Sequence, residues 1–232
     1  ASVSISNTAP SVDSISLSPS TVYTNDTVTA TASTSDADSD SLSLTYTWYV
    51  DGSLVQSGSS SSLSGSSYFS KGESITVTVT ANDGTDTDSA SSSALTVSNT
   101  DPAISAVAIS PATPSNDSTL SCSVSASDDD GDTLSSSFTW TNMTTGTTLG
   151  TGSSLTLSSA LASNSDTIMC TATVTDTSSA TDSSSGTVSL SNRAPVAPSV
   201  SISPDPAYLN ESLTCSASGA SDPDGDSLST SY

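Results

Sequence analysis

Ile75-Thr76-Val77-Thr78-Val79-Thr80 alternates branched apolar residues with threonine over six positions. One apolar and one hydroxyl-bearing face, with period two, is the pattern of a half-buried antiparallel strand. Val12-Asp13-Ser14-Ile15-Ser16-Leu17 is a second stretch of this kind. Val and Thr both favour strands, and no stripe of helical period is present. Hydrophobic residues make up only 32% of the chain and aromatics 4%, a composition that could also suit disorder. The alternation argues against that and predicts an all-β fold with no significant helix.

The composition excludes several functions. The chain has 232 residues and a formal net charge of −22, with two basic residues, Lys71 and Arg193, and no histidine. Two cations cannot form the basic footprint that nucleic acid requires. Without histidine, serine-triad and imidazole–zinc chemistry are unavailable. No apolar run approaches a membrane span, and no signal peptide is visible.

Working outward from the strands, the chain repeats itself. Asn7-Thr8-Ala9-Pro10 returns as Asn99-Thr100-Asp101-Pro102 and as Asn192-Arg193-Ala194-Pro195. Leu17-Ser18-Pro19 returns as Ile109-Ser110-Pro111 and Ile202-Ser203-Pro204. The period of about 92 residues is the size of one small antiparallel β-sandwich. Seven strands are expected in the first repeat, near 12–17, 27–33, 43–50, 54–57, 62–69, 74–81 and 90–98. The organisation that follows has four parts: residues 1–7 as the last strand of a preceding repeat, 8–99 and 100–192 as complete repeats, and 193–232 as the first part of another. On this reading the chain is a window cut from a longer array. Linkers of about four residues imply a semi-rigid rod.

In the second repeat Cys122 falls on the second strand, Trp140 on the third and Cys170 on the sixth. This order matches the immunoglobulin-like arrangement of an inter-sheet disulfide beside a buried tryptophan. A Cys122–Cys170 bond implies an oxidising compartment; two buried free thiols are the alternative. The first repeat keeps Trp48 but has Ala30 and Val77 at the cysteine positions. Cys215 aligns with Cys122, and its partner is expected beyond Tyr232. The Asn-x-x-Pro junction, the Asp-x-Asp-x-Asp loop, Thr45-Tyr46-Thr47-Trp48 and the long Ile75–Thr80 strand resemble tandem Ig-like, PKD-like and cadherin-like repeats. Such repeats occur in very large extracellular surface proteins of prokaryotes. The resemblance implies stalk, filament or adhesin roles outside the cell.

Acidic loops recur between the second and third strands: Asp36, Asp38 and Asp40; Asp128, Asp130 and Asp132; Asp222, Asp224 and Asp226. Further acid, including Asp83, Asp86, Asp88, Asp176 and Asp182, lies near the sixth and seventh strands. In an Ig-like sandwich both regions share one end. Calcium takes six to eight oxygen ligands, so a calcium site is one reading, and the cadherin-like resemblance implies the same. A solvated acidic turn is the other. The same feature in every repeat argues against a glycosidase carboxylate pair.

Four Asn-x-Ser/Thr sequons are present, at Asn25, Asn116, Asn142 and Asn210. Asn25, Asn116 and Asn210 are expected in the same turn of each repeat, as N-glycan carriers or simply as turn formers. The combined expectation is a non-enzymatic structural protein, glycosylated and calcium-stiffened, whose partners are further copies of the same array. The alternative is an adhesin or carbohydrate-binding repeat module.

Overall fold

The computed structural model describes residues 2–231. The chain divides into two compact units, Ala1–Asp101 with Asp128–Thr133, and Pro102–Ser127 with Leu134–Tyr232. Both are all-β.

The first unit contains β1 (Ser11–Ser18), β2 (Val22–Tyr23), β3 (Thr27–Ser35), β4 (Ser43–Val50), β5 (Ser53–Gly58), β6 (Ser62–Ser64), α1 (Gly65–Tyr68), β7 (Ser74–Asn82), β8 (Thr87–Ser91) and β9 (Leu95–Ser98). One sheet has the order β1-β3-β6; the other runs β2-β9-β7-β4-β5, with β8 also on β7. All pairs are antiparallel except β2 with β9. β7 alternates as its sequence demands: Ile75, Val77, Val79 and Ala81 are buried, and the threonines between them face outward. Trp48 is fully buried against this row, opposite Val77 in register, and its indole N–H donates to Ser60 O at 3.3 Å. Ala30 and Val77 lie in the same core cluster.

Two of the expected strands differ in the structure. The strand expected over 62–69 ends at Ser64 and turns into the four-residue α1. Gly65 permits this turn, because a Cβ there would lie 2.7 Å from the Phe69 ring and 2.9 Å from the Asn25 backbone nitrogen. The strand expected over 90–98 is split into β8 and β9. Between them Ser92 folds back on Val77, donating its N–H to Val77 O and accepting the Val77 N–H on its hydroxyl. Residues 2–10 form no strand. Val3 and Ile5 are 91% and 92% exposed, and none of the described strands pairs with them. Ala1 and Tyr232, the ends of the expected first and last segments, lie outside the described residues.

The second unit contains β10 (Ala103–Ser110), β11 (Thr119–Ser127), β12 (Ser135–Asn142), β13 (Thr147–Thr151), β14 (Ser154–Thr156), β15 (Thr167–Thr175), β16 (Thr181–Ser189), β17 (Ser199–Ser203) and β18 (Thr214–Ser218). Its sheets are β10-β11-β14, β13-β12-β15-β16 and the hairpin β17-β18. Cys122 and Cys170 are disulfide-bonded, with Cα atoms 6.5 Å apart. Trp140 is fully buried and pairs with Cys170 in register; its indole N–H donates to Gly152 O at 2.8 Å. Ile202 pairs with Cys215 as Ile109 pairs with Cys122, and Cys215 is an exposed free thiol. The peptide bonds Ser18–Pro19, Ser110–Pro111 and Ser203–Pro204 are all cis. No helix among the described residues is long and apolar enough to cross a membrane.

Candidate functional site

The three Asp-x-Asp-x-Asp loops are built alike. The first aspartate acts on its own loop: Asp36 Oδ1 accepts the N–H groups of Asp38 and Asp40, at 2.9 and 3.2 Å. Asp128 does the same for Asp130 and Asp132, and Asp222 for Asp224 and Asp226. A short carboxylate side chain that bonds backbone two residues on is an Asx-type turn. The fourth position has positive φ in all three, 64° at Ser39, 74° at Gly131 and 84° at Gly225. Ser39 therefore holds the conformation for which glycine stands in the other loops.

The middle aspartate grips the segment that enters its repeat. Asp38 Oδ2 accepts the Thr8 N–H at 2.6 Å, Asp130 Oδ2 the Thr100 N–H at 2.6 Å, and Asp224 Oδ2 the Arg193 N–H at 2.5 Å. Each donor directly follows the asparagine of the repeated Asn-x-x-Pro. The repeat thus carries two motifs about 30 residues apart that fold onto each other.

The third aspartate also has a recurrent partner. Lys71 Nζ donates to Asp132 Oδ2 at 2.5 Å and to Asn99 Oδ1 at 3.1 Å. In the second unit Asn164 Nδ2 donates to Asp226 Oδ2 at 2.8 Å and to Asn192 Oδ1 at 2.6 Å. Lys71 and Asn164 are equivalent, each preceding a left-handed residue (Gly72, φ 85°; Ser165, φ 67°).

As candidate cation ligands, Asp36, Asp38 and Asp40 bring carboxylate oxygens within 4.8 Å of one another. Asp36 Oδ2 and Asp128 Oδ2 are buried atoms with no hydrogen-bond partner among the described residues. An uncompensated buried carboxylate oxygen fits a cation ligand. Asp83 does not join the triad. The Asn7 amide lies 3.0 Å from Asp83 and 2.9 Å from Asp86. That amide, with the Asp86 and Thr85 backbone N–H groups, holds the Asp83 carboxyl below the usual carboxylate range. Asp176 is buried and accepts the Ala180 N–H at 2.8 Å. Asp224 departs from a ligand role, because Arg193 occupies both of its oxygens through its backbone N–H and its Nε. Contact with Asp224, and secondarily with Asp117, raises the Arg193 pKa. The Ser115 hydroxyl and Arg193 lower that of Asp117.

The sequons separate. In the turn before each second strand, a backbone N–H donates to a side chain three residues on: Tyr23 to Asp26, Ser115 to Ser118, Tyr208 to Glu211. Asn25 and Asn210 both occupy the third position, with φ of 73° and 72°, and are exposed. Asn116 is not their equivalent. It sits one residue earlier, is buried, and donates its amide to Asp224 O at 2.8 Å. Asn142 is fully buried; its amide nitrogen donates to Asp166 and its oxygen accepts the Thr144 and Thr145 N–H groups. An N-glycan is attached at that amide nitrogen, so burial argues against glycans on Asn116 and Asn142 in the folded chain. The off-by-one register of Asn116 was legible by counting back from Cys122 and Ala30. The burial of Asn142 follows the period-two pattern of β12: it lies two residues beyond Trp140 on the same core-facing side, where the first repeat has the buried Val50.

No family model and no curated protein matches the chain. Structural neighbours are Ig-like and cadherin-like domain repeats. Another solved structure similar to the chain comprises three N-terminal domains of the bacteriophage RB49 highly immunogenic outer capsid protein (17% identity, TM-score 0.31, covering 89% of this chain and 69% of that one). Sidekick-1 immunoglobulin domains 1–5 give 15% identity and a TM-score of 0.36, covering 93% of this chain and 46% of that one. Protocadherin gamma B2 extracellular cadherin domains 3–6 give 14% and 0.31, covering 91% and 56%.

Proposed function

We propose that the chain is a structural segment of an extracellular repeat array, a stalk or filament whose first acidic loop, Asp36–Asp40, binds calcium and whose exposed sequons, Asn25 and Asn210, carry N-glycans. The observation that carries this reading is the repetition of one hydrogen-bond set at all three loops, from Asp38 to Thr8, Asp130 to Thr100 and Asp224 to Arg193. A ligand-binding or catalytic site is ordinarily singular; a device present in every repeat is part of the scaffold. The Cys122–Cys170 disulfide suits an oxidising, extracellular compartment.

Asp36, Asp38 and Asp40 are the residues that would hold calcium, with the orphaned Asp36 Oδ2 as one ligand. Three carboxylates supply part of the shell that calcium fills with carbonyls and water. The cation would relieve the repulsion within the triad. Two measurements test the reading. Cryo-electron microscopy of the native material should show ordered filaments with density extending from Asn25 and Asn210; isolated chains with bare asparagines would overturn it. Calcium should raise the melting temperature and EGTA should lower it, with the effect lost in Asp36→Asn; no shift removes the calcium element.

A further inference from the structure

The negative charge is not spread evenly. Of the 24 acidic residues only Asp13, Asp88 and Asp182 lie within strands. Asp88 turns inward to the Val12 N–H at 2.8 Å and Asp182 to the Ile104 N–H at 2.7 Å. The outward faces of β4, β5, β7 and β8 in the first unit, and of β12, β13, β15 and β16 in the second, therefore carry no Asp, Glu, Lys or Arg.

These faces carry paired hydroxyls, alongside Tyr49 and Leu54 in the first unit and Met169 in the second. Thr78 meets Ser91 at 2.8 Å and Thr80 meets Ser89 at 2.8 Å. The second unit repeats the arrangement at the same positions, Thr171 with Ser185 at 2.9 Å and Thr173 with Ser183 at 2.8 Å. In each pair one hydroxyl already donates to the other, so part of its hydrogen bonding survives the loss of water. The threonine methyls supply apolar contact beside them. The smaller three-stranded sheet of the first unit carries Asp13 instead.

We propose that this uncharged face is the surface on which a second copy of the chain lies, side by side. Two molecules of net charge −22 repel through every acidic loop. The neutral face is where they approach at least electrostatic cost, and a second copy presents the same face in return. Four strands of up to nine residues span about 30 by 19 Å, or roughly 500–600 Å² per partner. That is close to the lower bound of about 1,000 Å² in total for a specific contact. A contact of this size is weak, so self-association is expected only at high protein concentration. The proposal extends the structural-array reading and rests on it.

The test is analytical ultracentrifugation of the full chain across salt concentrations. Association should strengthen from about 0.05 M to about 1 M salt as the loop charges are screened. The double variant Thr78→Glu/Thr171→Glu should remain monomeric, with its circular dichroism spectrum and melting temperature retained. The conservative Thr78→Ser/Thr171→Ser should associate like the parent. A chain that is monomeric at every salt up to about 1 mM, or a glutamate variant that associates unchanged, overturns the proposal. Binding to a neutral polysaccharide without self-association overturns it as well. None of these outcomes touches the calcium or glycan measurements, so the two readings fail separately.

Discussion

Asn142 Nδ2 donates to Asp166 Oδ2 at 2.8 Å, and both side chains are shut away from solvent. Asp166 also accepts the Ser163 N–H at 2.8 Å, and Asn142 Oδ1 organises the turn at Thr144 and Thr145. The pair ties the end of β12 to the loop before β15. Hydrogen bonds to a charged group contribute about 1.5–3 kcal/mol. Asn142→Ala should therefore lower the stability of the second unit by about 2 kcal/mol in urea titration. Asn142→Asp should cost more at neutral pH, because it sets a second carboxylate against Asp166.

The same pair makes stability depend on pH. The Ser163 N–H, with Asn142 assisting, holds the Asp166 carboxyl below its ordinary value against the opposing effect of burial. A carboxyl whose folded pKa is depressed stabilises the fold above its unfolded value, and that stabilisation is lost as pH falls through the folded value. Urea midpoints should therefore hold steady near neutrality and drop below about pH 4. Asp166→Asn should flatten the acid limb for the second unit; an unchanged limb would assign the acid sensitivity to other carboxyls.

Reduction should separate the two units. The Cys122–Cys170 bond closes a loop of 48 residues. The chain-entropy argument gives such a loop about 4 kcal/mol of stabilisation. Dithiothreitol should lower the melting of the second unit and leave the first, with Ala30 and Val77 in its core, where it was. Calorimetry with and without reductant reads this directly.

Ser39 occupies a left-handed position where the two other loops have glycine. Ser39→Gly removes that strain while leaving the Asp36 bonds in place. A gain of about 0.5–1 kcal/mol in the first unit is expected, offset in part by the greater freedom of glycine in the unfolded chain. A loss on denaturant titration would mean that the Ser39 side chain does something its backbone angle does not reveal.

Period-two patterning made β1, β3, β4 and β7 legible, because one face of each is buried and the pleat forces the alternation. The Cys122–Trp140–Cys170 order was legible for the same reason: all three lie on core-facing positions of neighbouring strands. α1 was not legible, since Gly65 turns there only because Phe69 and the Asn25 backbone occupy the space beside it. The acidic loops were visible as composition, but their bonds to Thr8, Thr100 and Arg193 reach about 30 residues back along the chain. Local pattern carries no information about such contacts. Asn116 shows the limit most clearly: a sequon reports three residues, whereas the carbonyl that holds this amide belongs to Asp224, 108 positions along the chain.

The disulfide also decides what happens when the chain is pulled from its ends. The first unit has no crosslink, so once its sheets part it can surrender its whole contour. In the second unit the chain between Cys122 and Cys170, 48 positions apart in sequence, stays behind a covalent clasp. At about 3.3–3.6 Å per residue that is about 160 Å of chain withheld from extension. Redox chemistry thereby sets how far the chain lengthens under load: oxidised, it yields in one unit and stops short in the other; reduced, the hidden length is released.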